Sequence, residues 1–267
     1  MKPFFAILLL WAVSLGFSSC GHLPEIPSRE LAVELKEGCD LEQLRQELAY
    51  LEEQVNSSPE TRANCLIRLA RIAFILGELG PKGDKSLYFT KGKLYAETLI
   101  REQPEWAAGH YWLGLNLCGL AEEAGPKRGL RLVPQIIATM ERALEVDPVY
   151  DQAGAHRVLG RIYYECPPWP LSVGDIHKSL RHLSAAVAIS PENSTNHLFL
   201  AETLLKLDKK AEALQELEKV LKATSHALCP KELAADRRQA LKLLKENQWA
   251  KAGSRDPAGR SSAPGSK

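Results

Sequence analysis

The stretch that decides the fold is GAHRVLGRIYY, which occupies residues 154–164. In it the large residues Leu159 and Tyr163 stand on either side of the small residue Gly160. A small residue on a helix lets a second helix approach closely, and large residues one turn away fill the groove between them. Leu183, further along the chain, is placed to lie on the facing helix. The stretch therefore predicts a hairpin of two packed helices.

The same pattern returns in three other parts of the chain. The small position is Ala70 in the first unit, Gly114 in the second and Ala201 in the fourth, with Leu directly before it each time. The fourth unit is the most regular. It continues into a facing helix with Ala213, Leu217 and Val220.

Five prolines mark the period of this repeat: Pro59, Pro104, Pro148, Pro191 and Pro230. Ser58, Asp147 and Ser190 directly precede three of them, which predicts an N-cap followed by proline at the first helical position. The prolines recur at intervals of roughly 40 to 45 residues, and such a period in a helical chain is typical of a solenoid.

The packing positions resemble those of tetratricopeptide-repeat proteins. Measured from the small residue to the closing proline, the first three units are longer than the standard repeat, whereas the fourth is not. The insertions fall between the paired helices, in residues 77–86, 119–131 and 165–175. The resemblance implies an all-α, TPR-like α-solenoid of about four helix-hairpin repeats.

The chain resembles one branch of that family more than the other branches. The run 154–164, followed by Pro167-Pro168 and Gly174-Asp175, resembles the T component of tetratricopeptide-associated TRAP transporters. That resemblance implies an oligomeric lipoprotein that docks a solute-binding subunit. A neighbouring branch, similar to eukaryotic regulators of microtubule dynamics, shares much of the pattern but does not fit the N-terminal sequence.

The N-terminus has the features of a bacterial lipoprotein. Lys2 is followed by the uncharged stretch 4–17, which is too short for a stable membrane span, and then by Ser18-Ser19-Cys20. We expect a signal peptide over 1–19, a lipid on Cys20 and a tether over 20–39. The alternative is an ordinary secretory signal. By resemblance to sorting signals, Gly21 favours the periplasmic side of the outer membrane.

The regions that flank the repeats have their own patterns. Asp40 is placed to cap a helix whose leucines recur at steps of three and four positions. Residues 230–249 predict a capping helix, which closes a solenoid domain over 40–249. The tail over 250–267 is rich in Gly, Ser, Pro and Ala, and we expect it to be disordered.

Composition and motifs argue against an enzyme or a nucleic-acid-binding protein. The chain contains 42 Leu and 10 Val, which favours helices, and its net charge of +1 does not point to nucleic acid. No phosphate-binding, zinc-protease or serine-hydrolase motif occurs, so no catalytic residue, cofactor or metal is expected. The sequence leaves open whether any of five cysteines forms a disulfide, and it favours buried free thiols for most of them: Cys39, Cys65, Cys118, Cys166 and Cys229.

Three histidines occupy one position of three successive units. His110, His156 and His197 each lie one helical turn before the small residue of their unit. They could form a ladder that binds a metal or responds to pH, or each could fill a packing position and hydrogen-bond locally. The distance between stacked repeats, roughly 10 Å, favours the second interpretation.

The first helix of each unit is expected to line an inner surface. We call its candidate ligand- or partner-binding residues the inner strip: Arg71, Phe74, Tyr111, Leu115, Arg157, Arg161, Tyr164, Leu198 and Glu202. Arg157 and Arg161 are neighbours on one helix face, and beside tyrosines they suit a carboxylate with an apolar body. Alternatively these arginines pair with Glu165 and Glu202.

Two functions fit these observations. The first is a lipid-anchored accessory component of a TRAP-type transporter, which docks a solute-binding subunit and helps to handle a small carboxylated or hydrophobic ligand. The second is a general scaffold for protein–protein interaction in cell-envelope assembly. The partners would be another envelope protein, the membrane through the lipid, and further copies of the chain.

Overall fold

A computed structural model describes residues 40–223 and 230–253. The expected signal peptide, Cys20, the whole tether over 20–39 and residues 254–267 lie outside these ranges, as do Cys39 and Cys229. Residues 250–253 continue the last helix, so the helix runs one turn beyond the predicted domain boundary at 249.

The described residues form eleven helices. Their bounds are α1 (Leu41–Gln54), α2 (Pro59–Leu79), α3 (Lys85–Glu102), α4 (Ala107–Glu123), α5 (Gly125–Gly129), α6 (Val133–Val146), α7 (Tyr150–Glu165), α8 (Ile176–Ile189), α9 (Ser194–Lys206), α10 (Lys210–Lys222) and α11 (Pro230–Gly253). None of the helices over residues 40–223 and 230–253 has the length and hydropathy that a membrane span requires.

The helices pack as four hairpins, as predicted. The pairs are α2 with α3, α4 with α6, α7 with α8, and α9 with α10, while α1 packs on α2 and α11 on α9 and α10. Asp40 caps α1, because its carboxylate accepts hydrogen bonds from the backbone amides of Glu42 and Gln43 at 3.0 and 3.3 Å. The predicted all-α, TPR-like solenoid is confirmed.

Three of the proline junctions are equivalent in their backbone hydrogen bonds. The residue before each proline ends a helix, and its carbonyl then accepts a hydrogen bond from the amide three positions ahead. These residues are Gln103, Asp147 and Ser190. The prediction that Asp147 and Ser190 are N-caps was therefore wrong: both terminate the preceding helix, and Asn193 caps α9. Ser58 and Pro59 do begin α2 as predicted.

The small residues lie where paired helices cross. A Cβ atom built on Gly160 would lie 2.5 Å from Cγ of Leu183, and one built on Gly114 would lie 2.5 Å from Cε of Met140. Contacts this short cannot exist without movement of the buried partner. The sequence pattern thus identified the helix crossings correctly.

The apolar interior consists of two main clusters. The first extends from Leu44 in α1 to Cys166 at the end of α7. The second extends from Leu183 in α8 to Ala240 in α11. Several buried polar residues of α7, α9 and α11 lie between them, and these include residues of the inner strip.

Gly160→Ala tests the helix crossing. We expect a loss of about 1–3 kcal/mol in the free energy of unfolding, because Leu183 is fully buried and the added methyl group overpacks the crossing. Gly83→Ala is the matched control, since nothing lies within 4 Å of its Cβ position. Urea unfolding of both variants measures the difference. Equal stability of the two variants would contradict this account of the crossing.

Candidate functional site

The structure buries most of the inner strip. Three members are partly exposed, namely Arg71, Tyr164 and Glu202; the other six are buried, namely Phe74, Tyr111, Leu115, Arg157, Arg161 and Leu198. The cause is that helices α2, α4, α7 and α9 pack against one another in sequence, so that their facing residues become core. Ligand binding by the strip remains a prediction, and solvent reaches it mainly at the three exposed members.

Arg157 is held by polar groups from three helices. Its side chain is 1% exposed, and its guanidinium lies 3.1 Å from the carboxylate of Asp151. It also donates to the side-chain oxygen of Asn196 in α9 at 3.2 Å, and it lies 3.5 Å from the hydroxyl of Tyr111 in α4. A buried ion pair is tolerated only when such additional hydrogen bonds satisfy the charged groups. Arg157 therefore links α4, α7 and α9.

An unusual turn places Asp151. Asp151, Gln152 and Ala153 have φ angles of 50, 57 and 62°, in the left-handed region that non-glycine residues rarely adopt. This conformation costs roughly 1–2 kcal/mol per residue. It turns the carbonyls of Asp151 and Gln152 towards the Arg157 guanidinium, at 3.4 and 3.2 Å, and these bonds offset part of the cost.

Sequence analysis missed this turn, although a signal was present. The segment from Pro148 to Gly160 is longer by two positions than the matching segments of the neighbouring units, which run from Pro104 to Gly114 and from Pro191 to Ala201. The third unit thus contains an insertion at its start. The left-handed turn accommodates it.

Arg161 is paired with two carboxylates of this chain. It is 2% exposed, lies 2.6 Å from Glu165 and makes a second short ion pair with Glu202 in α9. Its guanidinium also lies between two aromatic rings, 4.8 Å from the Tyr164 centroid and 4.5 Å from the Phe199 centroid. Pairing with Glu165 and Glu202 was the alternative to ligand binding that the sequence left open, and Arg161 pairs with both. A ligand carboxylate at Arg161 would have to displace Glu202.

Asp236 of α11 adds a further buried carboxylate. It is fully buried and accepts hydrogen bonds from the hydroxyls of Ser194 and Thr195 at the start of α9. Burial raises the pKa of Asp236 to about 7, although these two hydrogen bonds act in the opposite direction. Nothing in the sequence pattern indicated this role for the capping helix.

Arg71 differs from the other two arginines of the strip. Its Nη2 atom is buried without a hydrogen-bond partner, and its guanidinium lies 5.9 Å from the Trp112 ring centroid. Burial lowers the pKa of Arg71, and the nearby charge of Arg68 adds to this effect. No acidic side chain in the described part of the chain forms an ion pair with Arg71. Among the three arginines of the strip, it is the one without an ion-pair partner in the described part of the chain.

Tyr164 lies at the exposed end of the strip. The ammonium of Lys206 is 4.2 Å from the centroid of its ring and donates to its backbone carbonyl at 2.9 Å. With Arg161 on the ring as well, Tyr164 is enclosed by two cations. It can contribute apolar contact area at the edge of a bound partner.

The repeated histidines have structural roles. Nε2 of His110 lies 2.8 Å from the carbonyl of Pro104, and Nε2 of His197 lies 2.7 Å from the carbonyl of Pro191. His156 instead pairs with His182, with the two Nδ1 atoms 3.0 Å apart, because the insertion of the third unit separates it from Pro148. Among the described residues, no group of three or more potential ligands could hold a metal ion.

The described cysteines are free thiols. Cys65 is partly exposed, and Cys118 and Cys166 are buried. Burial raises the pKa of all three thiols, to about 11 for Cys166. A thiol with a raised pKa is a poor nucleophile at neutral pH. These residues behave as small apolar side chains.

Glu202→Gln tests the ion pair that joins α7 to α9. We expect a loss of about 1.5–3 kcal/mol in the free energy of unfolding, because Arg161 loses one of its two carboxylates while Glu165 still compensates its charge. Glu145→Gln is the matched control: it breaks the exposed pair with Arg142, and such pairs contribute at most about 1 kcal/mol. Urea unfolding measures both. A loss no larger than that of the control would refute the role of Glu202.

Asp236→Asn tests the raised pKa. Because the folded state holds a proton that the unfolded carboxylate releases near pH 4, the stability contributed by Asp236 is present below pH 4 and lost as the pH rises through about 7. The asparagine variant does not titrate. We therefore expect its stability relative to wild type to be higher at pH 8 than at pH 5, by at most a few kcal/mol, since one pKa unit corresponds to about 1.4 kcal/mol. Denaturant unfolding at the two pH values measures the change, and an unchanged difference would contradict the prediction.

Comparisons with known proteins agree with this architecture. The model of the family described as regulator of microtubule dynamics protein 1-3 matches residues 34–169, and a tetratricopeptide-repeat model matches residues 171–227. A thermophilic TPR protein from Thermus thermophilus, known from its crystal structure, shares 22% sequence identity with this chain and has a TM-score of 0.58. The match covers 76% of this chain and 92% of that chain.

A double mutant of MamA RS-1 is more distant, at 14% identity and a TM-score of 0.46 over 70% of this chain and 95% of that chain. No curated protein matches significantly. The Thermus structure supports the fold alone, whereas the first family model spans just over half of the 267 residues. The chain is thus a tetratricopeptide-repeat protein that belongs to the family described as regulator of microtubule dynamics protein 1-3.

Proposed function

We propose that the chain is a non-enzymatic protein-interaction scaffold, attached by a lipid on Cys20 to the periplasmic side of a bacterial outer membrane. The observation that carries the interaction role is the inner strip, in which only Arg71 of the three arginines has no ion-pair partner among the described residues. The fold supports the proposal as well, because tetratricopeptide-repeat proteins are generally scaffolds without catalytic activity.

The partner proposed for the strip carries an acidic group. Arg157 and Arg161 are paired with carboxylates of this chain, so Arg71 is the arginine of the strip left for a partner carboxylate. Trp112 beside it and Tyr164 at the other end of the strip supply apolar surface. A charge-assisted hydrogen bond to a partly buried guanidinium contributes roughly 1.5–3 kcal/mol, which is enough to select acidic partners.

The envelope location rests on the N-terminal sequence. Lys2, the apolar stretch and Ser18-Ser19-Cys20 support export and lipidation. The name of the matching family refers to microtubules. A bacterial-type export signal favours the envelope over that role, so the proposal takes from the family its helical architecture and not the microtubule partner.

A narrower form of this function is an accessory T component of a TRAP-type transporter. The run 154–164 with its following Pro167-Pro168 and Gly174-Asp175 supports it by resemblance. In that role the solute-binding subunit is the partner, and a small carboxylated or hydrophobic molecule is the ligand. Genes for a solute-binding protein and a permease beside the gene for this chain would favour this form over the general scaffold.

Arg71→Gln tests the proposed contact. We expect at least a tenfold loss in the affinity of the partner recovered with the lipidated protein from detergent-solubilised envelopes, because the unpaired guanidinium is removed. Arg131→Gln is the control, since Arg131 is exposed and lies outside the strip. Quantitative mass spectrometry of the recovered proteins compares the variants. Equal recovery with Arg71→Gln and with the control would discard the contact.

A further inference from the structure

A second concave surface lies on the outer side of the solenoid. A cavity of about 520 Å³ opens between α6, α8 and the α7–α8 loop. We call it the outer cleft, and its main lining residues are Ile137, Glu141, Tyr163, Trp169, Val173 and Lys178. None of these residues belongs to the inner strip. The cleft is therefore separate from the proposed acidic-partner site.

The loop that forms one wall of the cleft is fixed at its base. The amide of Gly174 donates to the carbonyl of Pro167 at 2.8 Å, and the amide of Asp175 donates to that of Tyr163 at 2.9 Å. A Cβ atom on Gly174 would lie 2.0 Å from the carbonyl oxygen of Cys166, so the two sides of the loop touch there. The loop thus holds its tip in a defined position.

The tip of this loop carries two exposed apolar side chains. Trp169 is 86% exposed and Leu171 is 77% exposed, the highest values among the large apolar residues that the structure describes. Tryptophan on a fixed support is a common anchor in protein–protein interfaces. The outer surface therefore carries a projection directly beside a cavity.

Charged residues of both signs lie beside the cleft. Glu141 on α6 and Arg181 on α8 are both exposed, and neither forms an ion pair within residues 40–223 and 230–253. Both act on the phenol of Tyr163, whose pKa is raised by burial, by Glu141 and by Asp175, and lowered by Arg181. Glu141 and Arg181 therefore both lie near this ring without forming an ion pair with each other.

Lys178 and Asp175 are already engaged within the chain. The Lys178 ammonium lies 5.1 Å from the centroid of the Tyr163 ring. The Asp175 carboxylate is the N-cap of α8 and accepts hydrogen bonds from the backbone amides of His177 and Lys178. These two residues shape the cleft. The charges available to a partner are those of Glu141 and Arg181.

We propose that the outer cleft is the interface of a twofold-symmetric dimer, in which the Trp169–Leu171 tip of each copy enters the cleft of the other. A twofold interface uses the same surface patch on both copies, so that the patch must be complementary to itself. A projection beside a cavity meets that condition in shape. Glu141 and Arg181 meet it in charge, because each copy offers the other an exposed acid and an exposed base that have no ion-pair partner in the described part of the chain.

Analytical ultracentrifugation of the full chain in detergent, over a range of concentrations, tests the proposal. We expect a monomer–dimer equilibrium that Trp169→Ala weakens by at least tenfold, since the side chain is a central anchor. Tyr50→Ala is the matched control: this aromatic residue is 57% exposed on α1, away from the cleft. Because Trp169 is 86% exposed in its own chain, its removal should leave the melting temperature unchanged at concentrations where the protein is monomeric.

Charge reversal tests the pairing across the axis. We expect Glu141→Arg and Arg181→Glu each to weaken the dimer, because like charges then meet, and the double variant to restore it. A protein that stays monomeric would overturn the proposal, as would a dimer unaffected by Trp169→Ala or a double variant no better than the singles. Occupation of the cleft by a small molecule or another protein in place of a second copy would also overturn it.

Discussion

The buried ion pairs of α7 are the constraint on which the rest of the structure depends. Arg157 and Arg161 lie between the two apolar clusters, where each needs a carboxylate and further polar groups that a single helix cannot supply. The groups come from α4, α7 and α9, and these helices must therefore keep one relative position. Apolar contacts alone specify position less strictly, since they are not directional.

Two family models meet at the same place in the chain. The first ends at residue 169 and the second begins at residue 171, and the boundary between the apolar clusters falls in the hairpin that contains both. The N-terminal part has the longer, modified hairpins, and the C-terminal part is closer to the regular repeat. The polar residues at the boundary join the two parts into one body without a continuous apolar core.

Much of the fold could be predicted from the sequence, because repetition and helix packing act locally. The small residues Gly114 and Gly160 indicated the crossings, and the prolines indicated junctions that are equivalent in three units. The N-cap predictions for Asp147 and Ser190 were wrong because Asp or Ser before a proline can either end one helix or begin the next. The sequence pattern does not distinguish these two positions. The burial of Arg157 was not foreseen, because its partner Asp151 becomes available only through a left-handed turn that non-glycine residues rarely form.

The left-handed turn at 151–153 also limits how the chain can change over evolution. Repeat arrays commonly gain or lose units by duplication and recombination, since each unit contacts only its neighbours. Here the third unit carries an insertion of its own, and its arginines need Glu202 and Asn196 from the fourth. A duplicated or transplanted copy would bring buried guanidinium groups without their counterparts. The order of the units in this chain is therefore fixed, although its architecture is repetitive.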